Sequence, residues 1–178
     1  MIIKGANILT PYGMMESGIL ITQDGVIARI SSMEDAGSES ELFQNQGYEY
    51  EVIEGTGLTL VPGFIDIHSH GGGGCDTEDG TYDSLEKMCL SHASHGTTGI
   101  LPTTMSASTE TLLRTSRLIG DSSGAKACSG AEILGVHLEG PWLNPERKGA
   151  QPIATIRAPS IEELDELNVE VIYRNALV

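Results

Sequence analysis

The sequence predicts an α/β chain in two parts: a small β-sandwich-type domain over residues 1–60, then the first three or four strands of a (β/α) barrel over residues 61–178. From residue 61 onward, apolar runs of strand length alternate with segments of helical period, the pattern of parallel strands joined by covering helices. His68, His70 and Glu139 each stand at the carboxyl end of such a run, where barrel enzymes gather their ligands. Residues 1–60 instead hold short apolar runs between turn residues.

In the first part, residues 2–9 read as a strand and residues 10–13 as a turn. Residues 19–22 and 26–30 flank Gln23-Asp24-Gly25, a hairpin signal carried by the Asp-Gly pair. Residues 31–47 are polar and acidic and read as a loop or linker, and residues 50–53 and 58–61 read as two more strands. A sheet this small leaves exposed edges, so further strands are expected to complete it.

The second part opens on VPGFIDIHSHGGGG, residues 61–74. Phe64, Ile65 and Ile67 are strand formers, and Pro62-Gly63 punctuates the entry. Residues two apart in a strand share a face at about 6.6–6.8 Å. Asp66, His68 and His70 therefore line one side, and two imidazoles so placed can close on one divalent cation. A bare H-x-H is also found on solvent faces, but this one ends an apolar strand. Gly71 to Gly74 let the backbone turn sharply and approach a ligand without a Cβ in the way.

Thr81 is expected to cap a helix in which Leu85, Met88, Cys89 and His92 recur at helical spacing, ending near Gly96. Residues 97–104, TTGILPTT, read as a second buried strand. Ser108 then caps a helix reaching about Ile119, with Leu112 and Ile119 inward, and residues 121–130 form a loop. Residues 133–138 read as a third strand. Ser160-Ile161-Glu162-Glu163 has the form of a capping box opening a short helix, and residues 169–173 read as a fourth strand. A closed eight-stranded barrel takes about 250 residues, more than twice the stretch from Val61 to Val178. The expectation is a fragment of a longer protein, or a barrel completed by another chain.

Glu139 ends the third strand just before a Gly-Pro break, which presents its carboxylate at the strand mouth. A solvated glutamate is the bland reading. With two histidines at an earlier strand end, a metal carboxylate is the sharper one, since Glu joins His around Zn²⁺ or Fe²⁺. Asp66 reads as a group orienting a ligand histidine or as a polar barrel-core residue. His92 and His95 read as structural at a helix end. Strand alternation turns His137 away from Glu139's neighbours, while an irregular strand brings it beside a substrate. Cys75 reads as a small loop hydrophobe or a metal ligand, Trp142 as packing, and Arg147 and Lys148 as a solvated pair or an attractor of anions.

The formal charge of −15, from 10 basic and 25 acidic residues, opposes nucleic-acid and anionic-membrane binding. Cys75, Cys89 and Cys128 form no C-x-x-C and cannot all pair, which suits a reducing, cytoplasmic setting. The first residues lack the apolar core of a signal peptide, and no run approaches membrane-spanning length.

Three stretches in order, PGFIDIHSHGGGG, HGTTGILPTT and ILGVHLEGPWLNPERKGAQ, resemble the N-acetylglucosamine-6-phosphate deacetylases of the amidohydrolase superfamily. The first stretch belongs to the superfamily broadly, and HLEGPWLNPERKGA is the narrower signal. The resemblance runs to about Leu167 and reaches only the amino-terminal half of such an enzyme. It implies that Glu139 is the principal metal ligand and that His68 and His70 hold a second ion or assist the first, with Zn or Fe as the metal. It matches Ala150 and Gln151 to the family's sugar-contacting pair, where many members have His at the second place. It puts the later metal histidines, the general base and most phosphate contacts beyond Val178, so no catalytic base is assigned here. The implied reaction is hydrolysis of the acetamide of N-acetylglucosamine-6-phosphate to acetate and glucosamine-6-phosphate, in a protein that forms homodimers when complete. A dihydroorotase-like cyclic amidase and a non-catalytic remnant or interaction protein are the alternatives.

Overall fold

The computed structural model describes residues 1–35, 51–123 and 128–167. The chain divides between Pro62 and Gly63 into two compact units. The fourth strand expected at 169–173 and the linker beyond Asp35 lie outside the described residues.

The first unit is one five-stranded sheet. β1 (Ile2–Thr10), β2 (Gly13–Gln23) and β3 (Val26–Ser32) form an antiparallel meander, and β4 (Val52–Glu54) and β5 (Thr59–Leu60) pair parallel to β1. Asp24 and Gly25 both take positive φ, 52° and 78°, between the paired Gln23 and Val26. That is the conformation an Asp-Gly hairpin loop requires, because it matches the twist of the flanking strands. β2 begins at Gly13, well before the strand expected at 19–22, because it pairs with β1 from the Thr10–Gly13 turn onward. Ile2, Ala6, Ile8, Ile19 and Leu20 are buried, whereas Val26 and Ile27 of β3 are exposed. A second sheet layer is not found among the described residues of this unit.

The second unit is built on β9. β6 (Phe64–Ser69) pairs parallel to one side of β9 (Thr97–Thr104), and β10 (Glu132–Ile133) and β11 (His137–Leu138) pair parallel to it as well. The third strand expected over 133–138 is thus broken in two. The break falls opposite Leu101-Pro102, where β9 has one N–H fewer to offer a neighbour. Between β6 and β9 lies a small hairpin, β7 (Gly71–Gly72) with β8 (Cys75–Asp76), turned by Gly73 and Gly74 at φ 60° and 80°. The sharp turn expected of the four glycines is this hairpin, and it also packs closely: a Cβ on Gly72 would stand 3.0 Å from the His92 ring.

Helix α1 (Tyr82–Ala93) starts where Thr81 Oγ1 accepts from Ser84 N at 3.2 Å, and α2 (Thr109–Asp121) where Ser108 Oγ accepts from Thr111 N at 3.2 Å. Their inward faces meet β9 and β10 in a core of Leu85, Met88, Cys89, Ile100, Ile119 and Ile133. Each large apolar side chain so buried contributes about 1.5–3 kcal/mol. α3 (Ile161–Leu167) forms half of the expected capping box: Ser160 Oγ accepts from Glu163 N at 3.2 Å. The Glu163 carboxylate does not return to Ser160, because Arg157 and Trp142 claim it.

Candidate metal centre

The carboxyl ends of β6 and β11 bring three side chains to one point. His68 Nε2 lies 3.3 Å from His70 Nε2 and 2.9 Å from Glu139 Oε2, and His70 Nε2 lies 2.8 Å from the same oxygen. Among the described residues this is the group of His, Cys, Asp and Glu close enough to hold one metal ion. Bonds of about 2.0–2.1 Å to a tetrahedral cation put neighbouring ligand atoms about 3.3 Å apart, so the observed triangle has nearly the size the ion needs. The donor set also fits in kind. His70 Nδ1 lies 3.2 Å from the Thr103 carbonyl, which can only accept, so Nδ1 carries a hydrogen and Nε2 is the ring nitrogen left to face a cation beside Glu139.

Glu139 feels opposing influences. Burial, the largest of them, pushes its carboxyl up, but hydrogen bonds from His68 and Gln151 and the nearby imidazoles outweigh it and hold the group below the ordinary glutamate range. The carboxylate is therefore available as an anion at neutral pH. Its loop is packed hard: Gly140 has φ 82°, and a Cβ there would meet Ser106 Oγ at 2.1 Å, so only glycine fits.

Ser106 in turn ties this loop to the next. Its N–H donates to Gln151 Oε1 at 2.6 Å, and its carbonyl accepts from Thr155 Oγ1 at 2.7 Å. Arg157 N donates to the Pro141 carbonyl at 3.2 Å. Below it, Glu163 accepts from Thr109 Oγ1 at 2.6 Å, from Trp142 Nε1 at 3.0 Å and from the Arg157 guanidinium. The Arg157 hydrogen bonds, against the opposing push of burial, hold the Glu163 carboxyl at about 2. Sequence reasoning found none of Ser106, Thr103 or Arg157. The bonds that place them in the site (His70–Thr103, Ser106–Gln151, Arg157–Ala107) span 33 to 50 residues, so local pattern carries no trace of them.

The other singled-out residues take varied places. Asp66 does not join His68 and His70. Its Oδ1 accepts from the His68 backbone N at 3.0 Å and its Oδ2 lies 3.7 Å from His92 Nδ1, across a register shift that interrupts strand alternation after Asp66. His92 does more than complement a helix end, since its Nε2 lies 3.1 Å from both Ser69 Oγ and the Gly71 carbonyl. His137 packs its ring on His68, with centroids 4.6 Å apart. Ala150 is exposed, while Gln151 is 3% exposed and its side-chain oxygen is committed to Ser106. Lys148 Nζ donates to the carbonyls of Gly149 and Gln151 within its own loop. Trp142 combines packing with its bond to Glu163. Cys75, Cys89 and Cys128 are free thiols, and no described helix is long and apolar enough to cross a membrane.

A parallel sheet covered by helices, with imidazoles and a carboxylate converging at its carboxyl edge, defines the class. Residues 59–175 match the model of the amidohydrolase family, and the chain belongs to that family. Within it, the chain is similar to the N-acetylglucosamine-6-phosphate deacetylase of Bacillus subtilis, 33% identical over 164 residues, covering 91% of this chain and 39% of the relative. It is equally similar to the N-acetylgalactosamine-6-phosphate deacetylase of Escherichia coli O157:H7, 33% identical over 170 residues, covering 93% of this chain and 40% of the relative. Among solved structures, the N-acetylglucosamine-6-phosphate deacetylase from Pasteurella multocida superposes with a TM-score of 0.79 at 28% identity, covering 96% of this chain and 42% of that one. This chain thus spans about two-fifths of the length of the curated relatives it matches.

Proposed function

We propose that this chain is the amino-terminal portion of a metal-dependent deacetylase of N-acetylhexosamine 6-phosphates, with N-acetylglucosamine-6-phosphate as substrate. The observation that carries the reading is the convergence of His68, His70 and Glu139, drawn from strands that are 71 residues apart in sequence. Likeness over nine-tenths of the chain to deacetylases of these sugars supports the substrate class. On this reading β6, β9 and the broken β10–β11 strand are the first three strands of a (β/α) barrel, and residues 1–60 form part of a β-sandwich that other strands complete. Activity belongs to an assembly larger than this chain, a homodimer when complete, and no residue here is assigned as the general base.

In the reaction, His68, His70 and Glu139 hold the divalent cation, zinc or iron, as one ion or as part of a pair. When bound, such a cation activates water and polarises the acetamide carbonyl. His70 offers its Nε2 because Thr103 fixes its tautomer, and Glu139 offers a charged oxygen because its hydrogen bonds outweigh its burial. Gly140 lets the chain turn away directly after the carboxylate, which keeps Glu139 at the sheet edge. Ala150 follows the same loop and is assigned to the sugar. Gln151 stands beside it, with its amide shared between Ser106 and Glu139.

Metal binding tests the site directly. The purified 178-residue chain is expected to bind Zn²⁺, and Glu139→Gln to bind it at least 100-fold more weakly, since replacing a charged ligand by a neutral one removes most of the attraction. Full metal content in that variant would take Glu139 off the ligand set. For the chemistry, the chain alone is expected to release little acetate from N-acetylglucosamine-6-phosphate. Fusion to the remaining carboxyl-terminal part of a deacetylase relative should restore release, with N-acetylgalactosamine-6-phosphate as the comparison substrate. Absence of turnover of either sugar by a folded, metal-loaded fusion would sink the substrate assignment.

A further inference from the structure

We propose that His137 is a positioning residue for His68, its ring holding the His68 imidazole in the direction the cluster requires. The inference rests on the metal-binding reading above, and it starts from an asymmetry between the two histidines. His70 is oriented by a hydrogen bond from Nδ1 to the Thr103 carbonyl at 3.2 Å. His68 Nδ1 meets no such acceptor among the described residues, although a ligand imidazole ordinarily has one that fixes its ring. The His68 side chain is also 48% exposed and stands on a strand with a partner on one side only among the described residues, so apart from the contacts of its Nε2 with Glu139 and His70, nothing on the Nδ1 side fixes the ring by a hydrogen bond.

His137 supplies what is missing. It belongs to β11, and β9 lies between that strand and β6. Its Nδ1 lies 3.0 Å from the carbonyl oxygen of Ile67 and so donates to it, which anchors the ring to the residue just before His68. From there it meets the His68 ring at 4.6 Å between centroids and 79° between planes, an edge-to-face contact of the kind aromatic rings prefer. His70 meets His68 more distantly, at 5.2 Å and 70°. The His68 ring therefore stands between two others, and its Nε2 faces Glu139. His137 itself is outside the triangle of candidate ligands.

The test is Zn²⁺ affinity of the 178-residue chain, read by competition with a chromophoric chelator, with thermal unfolding to verify the fold. Loss of an outer partner of a metal ligand typically costs 10–100-fold in affinity, so His137→Ala is expected to bind about tenfold more weakly or worse. His137→Phe keeps a ring and should stay within about threefold of the parent, while His137→Asn keeps a donor for Ile67, loses the ring and should resemble His137→Ala. Added to His68→Ala, the His137→Ala change should have no further effect, whereas added to His70→Ala it should cost its full factor. Parental affinity in His137→Ala overturns the proposal. So does an equal loss on both backgrounds, which is the signature of a general structural role, and so does rescue by Asn but not by Phe. If the parent chain binds no Zn²⁺ at all, the metal reading fails and this inference falls with it.

Discussion

β6 and β9 are neighbours in one sheet and are both rich in apolar residues, yet their surroundings differ sharply. Ile100 of β9 is fully buried, while Phe64, Ile65 and Ile67 of β6 are 61%, 63% and 56% exposed. β9 has paired strands on more than one side and helices packed over it, whereas β6 has β9 as its single strand partner among the described residues. Burial is thus set by neighbours and not by residue type. An apolar strand left open at its edge is the kind of surface that a further strand covers. The comparison extends to the site, because the two imidazoles ride on the open strand and the carboxylate rides on a loop braced through Ser106, Arg157 and Glu163.

The largest effect should come from the covered strand. Ile100→Ala is expected to cost about 2–5 kcal/mol in chemical denaturation, the range for emptying a buried aliphatic site. A cost under about 1 kcal/mol would mean that β9 is not the centre of the core. Next comes the brace: Glu163→Gln removes the charge and replaces one of the two carboxylate oxygens that accept from Arg157, Trp142 and Thr109 with an N–H donor, and is expected to cost about 2–4 kcal/mol. Because the folded-state value of Glu163, about 2, lies below its ordinary 4.5, its contribution is complete above pH 4.5 and is lost as pH falls toward 2. The melting temperature of the parent should therefore drop across that window more steeply than that of Glu163→Gln, and parallel curves would remove the charge from the brace.

Hydrogen exchange reads the comparison without mutation. Amides of β6 should exchange faster than those of β9 in the isolated chain, and equal protection would show that something covers β6. The smallest effect belongs to Ile65→Ala, expected within about 0.5 kcal/mol because the side chain is mostly in water. A loss as large as that of Ile100→Ala would erase the distinction between the strands.

Legibility tracked the range of the interactions. The Asp-Gly hairpin, the caps at Thr81 and Ser108 and the extent of β9 could be read directly, because each depends on residues within a few positions of one another. The nearness of His68, His70 and Glu139 was legible for another reason: strand ends in a parallel sheet meet at one edge, whatever the length of chain between them. That Asp66 bonds the His68 backbone and faces His92 was not legible, because strand alternation runs through a register shift that the residues themselves do not announce. The glycine run makes the sharp turn its composition announces, but that the turn is a hairpin packed on α1 is not legible locally, and Glu163, expected in a cap, is held by a guanidinium six residues earlier.

The sequence by itself determined the helices with their caps, the strands β1, β6 and β9, and the residues that stand at the strand mouths, since propensity, capping and periodicity act over a turn or a few residues, while the start of β2, the break between β10 and β11 and the β7–β8 hairpin came from pairing with other elements. Only the tertiary structure decided what those residues touch. The tautomer of His70, the ring beside His68 and the anchoring of the Glu139 loop all come from backbone carbonyls and side chains on other elements. A hydrogen bond is decided within a few tenths of an ångström, and no local pattern specifies position that finely.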